Sequence, residues 1–162
     1  MFNHRVEQIL ADCDHELVRL EQLIVAFGAT HEASGYLSKY ALLKVASTIE
    51  LSYKTLIADH YESLNEDLRT FVSGRVRDAN MNATYDNICT MLGWFSEEVR
   101  RDYKQRVDAM PEKDRYCAEF KDLNTARNNL VHGDANTPSF SSIKEKYEHV
   151  KSFLDILDEI MQ

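Results

Sequence analysis

Apolar residues recur at three- and four-residue steps along almost the whole chain. Val6, Leu10, Cys13, Leu17, Leu20, Ile24 and Phe27 make the first such series, the spacing of one face of an α-helix. Gly28 is placed to stop it, because glycine tolerates the left-handed conformation of a helix C-terminus. Ser34-Gly35 opens a second segment, in which Leu42, Val45, Ala46, Ile49, Tyr53, Leu56 and Ile57 form a face wide enough for the central helix of a bundle. Asn65 is placed to cap a third, shorter helix through Phe71 and Val72 toward Gly74. The polar run Arg77-Asp78-Ala79-Asn80-Met81-Asn82 reads as a loop, followed by a helix around Tyr85, Ile88, Cys89 and Leu92 that ends near Gly93. Ser96-Glu97-Glu98 has the form of an N-cap with acidic residues in the first turn, where the helix dipole favours them. That helix runs through Val99, Tyr103 and Val107. Pro111 breaks it and, with Glu112 and Asp114, starts another, which carries Tyr116, Phe120, Leu123 and Leu130 and meets Gly133. A loop, Asp134-Ala135-Asn136-Thr137-Pro138, leads to a final stripe of Phe140, Ile143, Tyr147, Val150, Leu154, Leu157 and Ile160. No alternating strand pattern and no internal repeat occurs. The pattern predicts an all-α, antiparallel helical bundle with long first, second and last helices, one domain over residues 1–162.

Composition narrows the functional classes. The 162 residues, 44% hydrophobic and 28% charged, suit a globular chain that buries roughly 70% of its unfolded surface and folds without a metal or a crosslink. Nineteen basic residues against twenty-seven acidic ones give a net charge of -8. That balance argues against a broad, sequence-blind nucleic-acid coat but leaves room for a local basic site. Arg75, Arg77, Arg100, Arg101, Lys104 and Arg106 are either such a patch or a solvated helix face. The cysteines, Cys13, Cys89 and Cys117, are far apart and odd in number, which suggests packing residues in a reducing cytoplasm rather than a disulfide framework. Asp12, His15 and Glu16, and the pair Glu145 and His149, have ligand-like spacing on helices. Carboxylates and a histidine on one exposed helix face read more simply as solvated. No metal or cofactor site is expected, and no apolar run is long enough to span a membrane.

One position departs from the apolar pattern. At about 100° per residue, positions 116, 120, 123, 127 and 130 share one stripe about 80° wide. Four are apolar, and the fifth is Arg127. A guanidinium among core-facing residues must be paired or line a cleft, because stranding it costs several kcal/mol. His132 follows, beside Gly133. An ideal helix sets Arg127 and His132 about 140° apart. They converge if Gly133 turns His132 back at the helix end, or if a two-fold dimer collects both groups in one cleft.

The segment Leu123-Asn124-Thr125-Ala126-Arg127-Asn128-Asn129-Leu130-Val131-His132-Gly133 resembles the HEPN signature (higher eukaryotes and prokaryotes nucleotide-binding): arginine, a polar residue, three more, then histidine. The Gly93-Trp94-Phe95 turn, a charged helix, the motif helix and a last amphipathic helix after a Pro-containing loop resemble the RiboL-PSP-type branch, from about Ser34 onward. The resemblance implies a homodimeric, metal-independent endoribonuclease with no cofactor, its arginines and histidines lining a shared cleft. Arg127 and His132 are then the catalytic pair, and Asn128 orients the histidine or the substrate. Family members also carry an acidic residue in an earlier central helix, for which Glu50 is the candidate; its alternative is an ion pair with Lys54, four residues on. The resemblance further implies a toxin or antiviral effector held in check by an inhibitory partner protein. Its rival is a non-catalytic HEPN module for dimerisation or for binding a nucleotide or protein. Chemistry agrees with RNA rather than DNA, because metal-free cleavage uses the 2′-OH. Histidine suits the removal of that proton, and arginine suits the charge that grows on the phosphate.

Overall fold

The computed structural model describes residues 3–64, 68–133 and 136–162. Among them seven α-helices follow one another: α1 (His4–Phe27), α2 (Glu32–Leu64), α3 (Arg69–Val72), α4 (Tyr85–Gly93), α5 (Glu97–Asp108), α6 (Lys113–Val131) and α7 (Phe140–Ile160). No strand occurs among the described residues, so the all-α bundle expected from the periodicity is what the chain forms. No helix of the described residues is long and apolar enough to cross a membrane.

The ends of α1 follow from its sequence. The Asn3 side chain accepts from the amides of Arg5 and Val6, filling two of the donors a helix start leaves open. At the other end Gly28 sits at φ +92° and returns its amide to the Ile24 carbonyl. Val6, Leu10, Cys13, Leu17 and Leu20 are buried, but Ile24 is half-buried and Phe27 is exposed, stacking on His31 at 5.4 Å. The last turn of α1 therefore overhangs the core rather than entering it.

α2 is 33 residues long and forms the axis of the bundle. In its C-terminal half every residue from Ser52 to Ala58 is buried, so the helix is enclosed on all sides there. Ion pairs of Lys144 with Glu21 and Lys151 with Asp14, at 2.7 and 3.3 Å, set α1 antiparallel to α7. Arg5 reaches Asp59 at 2.8 Å, so α1 is antiparallel to α2 as well. α2 and α7 therefore run in the same direction within the bundle. His60 Nδ1 lies 2.6 Å from the Met161 carbonyl where the two helices end together. α6 lies antiparallel to α7, with Glu119 against His149 and Asp122 against Lys146.

One connection differs from the expected pattern. Gly74 does not stop the third helix, because its φ is not positive; the chain continues as a π-helical turn over Ser73–Arg77. Val72 and Val76 are both fully buried, and Arg77 is drawn to Asp59 and Glu62 at 2.7 and 3.0 Å, so tertiary contacts carry the helix past the glycine. Asn65, expected to cap this helix, lies outside the described residues. The loop that follows has no regular structure, yet four of its carbonyls have partners. Those of Ala79, Met81 and Asn82 accept from Lys54 Nζ (2.6 Å), Tyr53 Oη (2.9 Å) and Asn87 Nδ2 (2.8 Å). That of Ala83 accepts from Asn124 Nδ2. Side chains of α2, α4 and α6 thus hold one loop, and it fixes α6 one turn before Arg127.

Candidate functional site

The expected stripe of α6 is present. Phe120 and Leu123 are buried, and Tyr116, Arg127 and Leu130 are half-buried beside the core. Arg127 stands near the end of α6, where the helix leaves the core, and its Nη1 donates to Asn128 Oδ1 at 3.0 Å. A guanidinium has five donors, so most of its capacity is left for another acceptor.

His132 occupies the C-cap of α6 at φ −87° and ψ 7°. Its amide donates to the Asn128 carbonyl at 3.0 Å, so the residue keeps the helical register. The left-handed turn comes one residue later, at Gly133, with φ +92°. His132 therefore does not turn back toward Arg127. Its ring is exposed and makes no hydrogen bond among the described residues. Asn128 links the two: it lies about 40° from His132 around the helix, its carbonyl accepts from the His132 amide, and its side chain accepts from the guanidinium of Arg127. The arrangement sets a free imidazole and an undersaturated guanidinium at one helix end, about 140° apart around it.

Glu50 is not joined to this group by any hydrogen bond or ion pair among the described residues. Its carboxylate lies 2.6 Å from Lys54 Nζ, and Lys54, only 7% exposed, also holds the Ala79 carbonyl. Asn124, one turn before Asn128, was not singled out by its sequence. It is buried and donates to the carbonyls of Ala83 and Phe120. The available signal was an amide beside the apolar stripe.

The other candidates resolve individually. Asp12 accepts from Gln8 at 2.7 Å, and no group of three or more His, Cys, Asp or Glu among the described residues is placed to hold a metal ion. Glu145 pairs with Arg115 at 2.9 Å. His149 pairs instead with Glu119 at 2.5 Å and stacks on Tyr116 at 4.4 Å. Burial opposes the charge of Glu119, but hydrogen bonds from His149 and Arg115 hold its carboxyl below the usual range. Burial raises all three thiols, Cys89 to about 11, the reverse of what a nucleophile needs. Among the basic residues, Arg77, Arg100 and Arg106 are paired with carboxylates, and Arg75 lies over Phe71. Arg101 and Lys104 line an open groove along α5 without an ion pair among the described residues. Trp94 follows α4 in the Gly93-Trp94-Phe95 turn. It is 44% exposed, and Phe95 packs there instead, stacked on Tyr61 at 4.2 Å.

A family model described as RiboL-PSP-HEPN matches residues 8–162. The match begins within α1, upstream of Ser34. No curated protein and no solved structure matches the chain.

Proposed function

The chain belongs to the RiboL-PSP-HEPN family, whose domains are typically RNases or nucleotide-binding modules, and from that premise we propose that it is a metal-independent endoribonuclease that works as a homodimer. One observation carries the reading: at the end of α6 Asn128 holds both the guanidinium of Arg127 and the backbone of the free imidazole His132. In the reaction His132 takes the proton of a ribose 2′-OH. The 2′-oxygen attacks the adjacent phosphorus, the bond to the 5′-oxygen breaks, and that oxygen leaves with a proton taken from water. The products are a 2′,3′-cyclic phosphate and a 5′-hydroxyl. Arg127 meets the non-bridging oxygens with paired charged hydrogen bonds as their charge grows.

A single chain offers an incomplete pocket, because Arg127 and His132 start about 140° apart around α6. A two-fold axis beside this helix end adds the missing groups, since the same patch serves both copies. α2 supplies an apolar surface for such pairing. Tyr36, Tyr40, Leu43, Ser47 and Leu51 fall at three- and four-residue steps and are all exposed, Tyr36 at 61% and Leu51 at 52%. Contiguous exposed apolar surface of this kind marks an interaction face.

The test is cleavage of RNA in EDTA with end-group analysis, on a protein whose mass in solution is measured in parallel. Arg127→Ala and His132→Ala each lower the rate by about a hundredfold or more while the chain stays folded, and the active species has the mass of two chains. Normal cleavage by both variants refutes the assignment. A folded dimer that leaves RNA intact points instead to the non-catalytic module.

A further inference from the structure

His132 stands at one end of a polar row. At about 100° per residue, Lys121, Thr125, Asn128 and His132 lie within about 60° of one another on the outer face of α6. Lys121, Thr125 and His132 are exposed and Asn128 is half-buried. No carboxylate and no large apolar residue falls in this row between Lys121 and His132.

Lys121 is unlike the charges around it. Arg115 is bound to Glu112, Glu119 and Glu145, Lys113 to Asp108 and Asp114, and Asp122 to Lys146. Lys121 makes no ion pair among the described residues. It opens onto a cleft of about 420 Å³ between the start of α4 and α6, whose wall includes Thr84, Tyr85, Asp86 and Cys117. The eleven residue steps from Lys121 to His132 place the two positions about 16 Å apart along the helix.

Resting on the endoribonuclease reading, we infer that Lys121 and this cleft form a remote subsite for single-stranded RNA, the ammonium meeting a backbone phosphate and the cleft receiving a base. A chain of net charge -8 does not hold a polyanion through its overall field. Retention of RNA falls to unpaired cations on the side that carries the chemistry, and on the outer face of α6 that cation is Lys121. Thr125 and Asn128 supply neutral hydrogen-bonding groups along the path between the two sites. Asp86 on the cleft wall is an acceptor suited to an exocyclic amino group, as on cytosine. The subsite therefore favours a strand several nucleotides long over a dinucleotide, with an amino-bearing base at the far position.

The experiment measures Kd for a non-cleavable 2′-O-methyl RNA of about ten nucleotides and for a 2′-O-methyl dinucleotide, as a function of salt. The proteins are the native chain, Lys121→Gln and, on α5, Arg101→Gln. The native chain binds the longer strand more tightly. Lys121→Gln weakens that binding about five- to tenfold at low salt and reduces the slope of log K against log salt by about 0.7, the value of one phosphate contact on a single strand. It also shrinks the preference for the longer strand, whereas Arg101→Gln leaves it unchanged. An unchanged Kd in Lys121→Gln overturns the subsite, and so does an equal loss in Arg101→Gln, which would mean a diffuse field. Because the probe cannot be cut, binding is scored separately from catalysis. A native chain that cuts no unmodified RNA sinks the endoribonuclease reading, whereas the Kd pattern alone decides the subsite.

Discussion

Replacing Asn124 by alanine removes the side chain that ties the Ala83 loop to α6 one turn before Arg127. Asn124 also donates to the Phe120 carbonyl at 3.0 Å, but that oxygen keeps the helical amide four residues on. The net loss is one partner for one buried acceptor, worth about 1–3 kcal/mol, with a small cavity in addition. We expect a total near 2–3 kcal/mol, which for a chain of this size lowers Tm by about 5–10 °C. Asn124→Asp sets a carboxylate against the same carbonyl and costs more than alanine does. Urea and thermal unfolding read both values, and RNA cleavage below the transition reads the effect on the site. Arg127 loses the fixed floor beneath it, so the rate falls in variants that are still folded at the assay temperature. An alanine variant that melts within about 1 °C of the parent, or an aspartate variant more stable than the alanine one, refutes the reasoning.

Two further outcomes follow from the same geometry. Gly133→Ala meets open space but must adopt φ +92°, so the cost is backbone strain of about 1–2 kcal/mol; a melt shows it, and an unchanged Tm means that the turn is not needed. Glu119 has a carboxyl held below its ordinary value by His149 and Arg115. Its contribution to stability is present above the unfolded carboxyl range near about 4.3 and is lost as pH falls through the lower folded value; unfolding of Glu119→Gln across acid pH should lack this part of the parent's pH dependence.

The local rules read well wherever a helix end depends on its own neighbours. Gly28 and Gly133 terminate helices in the left-handed conformation, and Ser96 caps α5 by accepting from Val99, all visible in the order of residues. Gly74 carried the same signal but fails as a stop, because Val76 and Arg77 are held by partners on α2 that no local window contains. Lys54 reads only as one member of a helical ion pair with Glu50. Its burial depends on the Ala79 loop folding over α2, twenty-five residues away. Which of Trp94 and Phe95 packs is set for a similar reason, since it is Phe95 that stacks on the Tyr61 ring. At the site, the angular gap between Arg127 and His132 could be computed from spacing alone. That the Asn128 side chain accepts from the Arg127 guanidinium depends on a rotamer that spacing does not specify.

The parallel course of α2 and α7 also bears on how the molecule is made. A parallel pair cannot be closed by a hairpin, so the intervening chain must travel back before α7 can dock, and α1 finds only one of its two neighbours until then. During synthesis the motif helix emerges before the element it lies against, and the hydrophobic interior stays open until α7 has been threaded in. Such long-range closure slows folding relative to a simple up-and-down bundle, and it delays the scaffold of Arg127 and His132 until α7 has left the ribosome.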